Sequence, residues 1–155
     1  MGTIISLRSL KEKLKGRRKK VVFTNGCFDI IHAGHVRYLK KARSLGDILV
    51  VGLNSDASIK KLKGKGRPIV GEKERAEVLS ALESVDYVIL FKEETPIKLI
   101  EAIRPKVLAK GADWGHGNIV GQDFVESTGG KVVRVRLVKG RSTTDIIKKI
   151  TRLAK

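Results

Sequence analysis

The sequence predicts an α/β fold: a doubly wound, five-stranded parallel sheet of order 3-2-1-4-5 with helices on both faces. Short apolar, β-branched runs alternate with helix-length segments along the chain. One of these runs, Ile48 to Leu53, has no polar interruption, as a strand covered on both faces requires. The stretches richest in chemically active side chains follow the first, fourth and fifth expected strands, so the fold gathers them at one end of the sheet.

Residues 1–20 read as a lead-in and residues 21–155 as the main domain. The lead-in holds a helix over 3–16, with Ser6 as cap, Leu7, Leu10 and Leu14 on one stripe, and Gly16 as terminator. After Arg17 to Lys20, Val21 to Thr24 makes the first strand, followed by a glycine-bearing turn and a helix from about Gly34 to Leu45. Ile48 to Leu53 is the second strand. A basic, glycine-rich loop from Lys60 to Gly71 then precedes a helix from about Glu72 to Leu82, and Tyr87 to Phe91 is the third strand. Thr95-Pro96 is a helix start, with threonine as cap and proline at the first helical position. That helix stops near Ile103, because Pro105 disfavours helical geometry at Arg104. Val107 to Ala109 is the fourth strand, Gln122 to Ser127 a helix ended by Gly129-Gly130, Val132 to Leu137 the fifth strand, and Ser142 onward the last helix.

A chain of 155 residues is one domain, long enough to bury a core without disulfides or a structural metal. Its one cysteine, Cys27, excludes an internal disulfide and fits a reducing compartment. The N-terminus has no apolar signal-peptide core, and no run approaches the ~20 apolar residues that span a bilayer. A cytoplasmic protein without membrane partners is therefore expected. The 33 basic and 16 acidic residues give a formal net charge of +17, which attracts polyanions of any kind. Aromatic residues, at 5%, are too few and not interleaved with the basic ones as a base-stacking platform requires.

The segment Gly26 to His35 places His32 and His35 around Gly34 at a helix start. A helix N-terminus offers unpaired N–H groups and partial positive charge, and glycine lets a phosphate approach the backbone. The imidazoles can donate to phosphoryl oxygens as charge moves toward a leaving group. Two other readings compete: a transition-metal site from Cys27, Asp29, His32 and His35, and a histidine that only satisfies a buried hydrogen bond. Arg141, Ser142, Thr143 and Thr144 open the last helix, either as ordinary caps or as a second cradle for triphosphate oxygens. The cations between Lys60 and Arg67 read as a solvated run or as a mobile lid over polyanions, with Arg75 in reach of the same phosphates. Asp113-Trp114, after Lys110-Gly111, reads either as ordinary packing with a surface carboxylate or as a contact of Asp113 to ribose hydroxyls, and Cys27 reads as a small packing residue.

The run Gly26-Cys-Phe-Asp-Ile-Ile-His-Ala-Gly-His35 resembles the signature of the cytidylyltransferase-like nucleotidyltransferases, whose Rossmann-like fold it then implies. The resemblance extends from about Val21 to Ile150, through Val51 to Asp56, Lys61 to Gly64, Gly66 to Pro68, Ala81 to Asp86, Lys110 to Trp114 and Arg141 to Ile147. Thr24-Asn25, Lys110-Gly111 and Ser142 to Thr144 make it most similar to the adenylyltransferases of ADP-heptose synthesis. That resemblance implies transfer of AMP from ATP, with Mg²⁺, to D-glycero-D-manno-heptose 1-phosphate, releasing pyrophosphate. By match to the family's motifs, His32, His35, Lys61 and Lys63 would be catalytic. Thr24, Asn25, Gly26, Cys27, Phe28, Asp29, Gly34, Lys110, Gly111, Asp113, Arg141, Ser142, Thr143 and Thr144 would hold the nucleotide, and Asn54 and Arg75 the substrate phosphates. No bound metal other than the ion carried by ATP is expected. A separate sugar kinase would supply the acceptor, and a homodimer fits the family's habit. Glycerol-3-phosphate cytidylyltransferases and archaeal-type FAD synthetases share the signature and differ in base and acceptor. A basic nucleic-acid-binding protein on the same fold is the alternative outside enzymes, and the intact histidine pair argues against it.

Overall fold

The computed structural model describes residues 1–112, 119–136 and 142–154. Its strands are β1 (Thr3–Ile4), β2 (Val21–Gly26), β3 (Ile48–Asn54), β4 (Tyr87–Phe91), β5 (Val107–Gly111) and β6 (Lys131–Val135). Its helices are α1 (Leu7–Leu14), α2 (Ala33–Arg43), α3 (Asp56–Lys63), α4 (Glu72–Ser80), α5 (Ile97–Ile103), α6 (Gln122–Ser127) and α7 (Thr143–Leu153). The sheet is parallel throughout, with order β1-β4-β3-β2-β5-β6.

Six strands replace the five expected, and the order counted along the chain is 1-4-3-2-5-6 instead of 3-2-1-4-5. The difference comes from Thr3–Ile4, expected to open a helix. Thr3 N–H donates to the Asp86 carbonyl and Ile5 N–H to that of Val88, which adds an edge strand beside β4. Two β-branched residues suit that pairing, and the helix starts only after the Ser6 cap, whose hydroxyl accepts from Ser9 N–H. The five expected strands keep their mutual neighbours. The lead-in is part of the same fold, since Leu10 is fully buried on the sheet.

Alternation along the strands divides the core between the two faces. Val22, Leu49, Val51 and Val88 meet α2 and α4 through Leu39, Ala42, Ala76 and Leu79. Val21, Phe23, Val50 and Ile89 meet α1, α5 and α6 through Leu10, Ile100 and Val125. All of β3 is buried, as its composition requires.

Two further expectations are corrected. The lysines at 60, 61 and 63 lie on α3, capped by Ser55 and seated through the fully buried Ile59, so the connecting loop begins only at Gly64. Thr95 makes no cap: Pro96 occupies the position before α5, and no side chain caps that helix. The helix does stop at Ile103, with Arg104 in the left-handed region at φ 52°.

Candidate active site

In this topology the chain winds one way from β2 through β3 to β4 and the other way through β5 to β6, so the reversal lies between β2 and β5. Carboxyl ends of strands on either side of such a reversal leave a crevice. Here the crevice is a cavity of 510 Å³. Asn25 to Asp29, His35, Lys63, Arg67, Lys110 and Thr143 all contribute to its lining. Lys110 Nζ donates to Asn25 Oδ1, joining β5 to β2 across the reversal. The α7 start is tied in as well, because Thr143 Oγ1 donates to the Ile30 carbonyl at 3.2 Å. Three separated stretches thus meet in one site.

The turn after β2 sets the histidines. Phe28 takes φ 45°, a rare conformation for a bulky residue, and its buried ring stands 5.3 Å from that of His35. A Cβ at Gly26 would come to 3.0 Å from the Phe28 ring, so a larger residue there would have to push that ring aside. His32 caps α2: its Nδ1 accepts from Gly34 N–H at 3.1 Å. In that bond Nδ1 is the acceptor, which puts the ring's N–H on Nε2. That bond also engages the Gly34 amide that was expected to face a phosphate. The two imidazoles stack with centroids 4.0 Å apart. Burial, then the repulsion of a protonated His32 and of Lys63, push His35 down to about 4 from an ordinary 6.5, and among the described residues its buried Nδ1 has no hydrogen-bond partner.

A stability signature follows. Between pH 6.5 and about 4 the unfolded chain protonates this side chain and the folded protein does not. The group's contribution is thus full above pH 6.5 and lost as pH falls toward 4. Urea unfolding at a series of pH values should show His35→Gln losing less stability than wild type across that window. An identical pH slope in both proteins contradicts the assignment.

Burial lowers Lys110 to about 8 from 10.5. Burial pushes the Cys27 thiol up, against the nearby charges of Lys63, Arg75 and Arg67. A neutral thiol is a packing group, not a nucleophile.

Several expected ligands lie elsewhere or are already engaged. Thr24 is fully buried; its hydroxyl donates to Tyr38 OH at 2.7 Å, which donates to the Ala109 carbonyl at 3.1 Å. Asp29 accepts from Arg67 Nε at 2.6 Å, Ile69 N–H at 2.8 Å and Val70 N–H at 2.9 Å. Burial alone would raise its pKa, but the Val70 and Ile69 amides and Arg67 together outweigh it and hold the carboxyl below its usual range. Arg75 lies behind the cavity, 1% exposed, and donates to Val70 O, Cys27 O and Asp56 Oδ1. Lys61 and Lys63 are two positions apart on α3, about 200° around its axis, and only Lys63 reaches the lining. Asn54 lines the cavity with its amide donating to Ser58 Oγ at 3.0 Å. Gly111 ends β5 and Thr144 is exposed on α7. The Ser142 hydroxyl donates to Asp145 Oδ2 and accepts from Asp145 N–H as a helix cap. Asp113 and Arg141 lie outside the described residues.

Sequence reasoning missed Arg67 as an individual lining residue, and Glu94 and Thr95 beyond β4 altogether. The rule applied to the other strands, that their carboxyl ends face the ligand, would have found the latter two. Among the described residues, no three His, Cys, Asp or Glu side chains come together as metal ligands.

The cytidylyltransferase-like family matches residues 23–149, from within β2 to within α7. The chain belongs to the cytidylyltransferase-like family. It is 56% identical over 144 residues to the bifunctional protein HldE of Pelobacter propionicus, covering 93% of this chain and 30% of that protein. It is 60% identical over 136 residues to HldE of Geobacter sulfurreducens, covering 88% of this chain and 28% of the relative. The chain thus spans less than a third of the length of these curated relatives. Among solved structures it resembles a lipopolysaccharide core biosynthesis protein from Thermoplasma volcanium, with TM-score 0.65 and 34% identity over 79% of this chain and 99% of that one. Pantoate-β-alanine ligase from Francisella tularensis, at 15% identity and TM-score 0.59 over 100% of this chain and 80% of that one, shares the Rossmann-like fold. This cytidylyltransferase-like chain is a nucleotidyltransferase, and such enzymes use a divalent metal with the nucleotide. No helix among its described residues is long and apolar enough to cross a membrane.

Proposed function

We propose that the chain transfers AMP from ATP, supplied as its Mg²⁺ complex, to D-glycero-D-manno-heptose 1-phosphate, giving ADP-heptose and pyrophosphate. The observation that carries this reading is the identity with HldE of 56% across 93% of the chain, laid over a cavity whose lining has the matching chemistry. The likeness to a lipopolysaccharide core biosynthesis protein supports a sugar phosphate as acceptor.

In this reading an anionic oxygen of the acceptor phosphate attacks the α-phosphorus. One phosphorus–oxygen bond forms, the bond to the bridging oxygen of pyrophosphate breaks, and pyrophosphate leaves with the electron pair. The nucleophile is already ionised, so no base is needed, and catalysis is positioning and charge stabilisation. The adenosine half lies at the β2/β5 reversal, over Asn25, Gly26 and Lys110. His32 and His35 donate to the α-phosphoryl and leaving oxygens, and Lys63 and the α7 start neutralise charge. Asp29 and Arg75 act as positioning residues that hold the 67–70 segment at the cavity. Mg²⁺ shields the phosphates when bound. A sugar kinase provides the acceptor, and the reaction is placed in the cytoplasm, where ATP is abundant.

The test is pyrophosphate release, with ATP or CTP offered in turn against heptose 1-phosphate, glycerol 3-phosphate and FMN. Release with ATP and heptose 1-phosphate only is the expected result. Release with another pair keeps nucleotidyl transfer and overturns the substrates.

A further inference from the structure

We infer that Arg67 is the residue that grips the phosphate of the acceptor, pre-aimed for that task by Asp29. This deepens the proposed reaction and rests on its acceptor being a phosphate monoester.

Arg67 lines the cavity with its side chain only 16% exposed. A guanidinium carries five N–H donors, and here Nε alone is engaged, on Asp29 Oδ2 at 2.6 Å. Among the described residues its two η nitrogens have no partner. Those nitrogens keep contact with solvent at the cavity, where an entering anion can take them up. Asp29 also fixes where the fork points. Its carboxylate, on a residue 3% exposed, takes the Ile69 and Val70 amides as well, so backbone and guanidinium share one anchor. Such a fork matches two oxygens of a phosphate dianion, whereas an ammonium meets them as a point charge.

The position selects which phosphate. Arg67 comes from the connection between α3 and α4, which follow β3, and not from β5, β6 or α7. The nucleotide is placed at the β2/β5 reversal. Asn54, Leu62, Lys63, Glu94 and Thr95 line the cavity from the same half as Arg67. That half is left for the acceptor, with Arg67 and Lys63 as its cations.

The test compares wild type with Arg67→Gln, Arg67→Lys and Asp29→Asn, by steady-state kinetics and by calorimetric titration with inorganic phosphate and with MgATP. Arg67→Gln should raise KM for the acceptor at least ~10-fold and weaken phosphate binding by a similar factor, with KM for ATP within ~2-fold. Arg67→Lys, which keeps a cation beside Asp29 and so protects the fold, should show a smaller shift in the same parameter. Asp29→Asn should move that parameter too, because it releases the fork. Unchanged phosphate affinity in Arg67→Gln or Arg67→Lys overturns the inference, as does a rise confined to KM for ATP. If wild type binds phosphate through Arg67 and yet does not turn over heptose 1-phosphate, the substrate reading falls and the phosphate grip stands.

Discussion

Replacing His35 or His32 by alanine should lower turnover by at least ~10²-fold while ATP affinity stays nearly unchanged. His32 is fixed by the Gly34 amide on its Nδ1, which leaves Nε2 as the donor. His35 is stacked on it at 4.0 Å, backed by Phe28, and kept neutral down to about pH 4, chiefly by burial. Neutral, fixed donors contribute little to binding a ground-state triphosphate, which the cations and the metal already attract. They act most as negative charge grows on the leaving oxygens, so their removal appears in kcat. Single-turnover kinetics together with ATP titration separate the two effects. Turnover unchanged in both variants would remove the pair from the chemistry.

The second large effect is structural. Arg75→Met should destabilise the fold by about 2–3 kcal/mol, below the full cost of breaking a buried pair because Asp56 keeps solvent contact. Arg75 is 0% exposed in its side chain and Asp56 35%. One guanidinium holds the Val70 carbonyl, the Cys27 carbonyl and Asp56 Oδ1, which lie on three different segments. Methionine fills much of the volume and leaves two carbonyls and a carboxylate without their donor. Urea unfolding should show a midpoint lower by about 1–2 M. A midpoint equal to wild type would mean that solvent replaces these bonds freely, and that Arg75 is not the strut described.

This residue also shows where the sequence was legible and where it was not. The alternation of strands and helices placed Asn25 to Asp29, Lys110 and Thr143 at one end of the sheet, and the cavity gathers them. Periodicity and strand composition report which faces are buried, and the reversal point follows from winding. Thr3–Ile4 stayed hidden because its partners lie at Asp86 and Val88, far along the chain, and two residues carry no period. Helix α3 was obscured by its lysines, although Ser55 followed by Asp56 is a serviceable start signal. For Arg75 and Asp29 the residue type suggested ligand contact. Their burial depends on carbonyls and amides brought close by tertiary structure, which residue type does not encode. The same blindness hid Arg67, whose difference from its basic neighbours lies in the carboxylate that anchors it.

The most direct measurement is ³¹P NMR of the purified protein with MgATP and D-glycero-D-manno-heptose 1-phosphate. The acceptor's phosphate resonance should disappear, two coupled diphosphate resonances of ADP-heptose should appear, and pyrophosphate should accumulate in equal amount. Pyrophosphate with free AMP and an untouched acceptor, or no change in the ATP resonances, would contradict the proposed transfer.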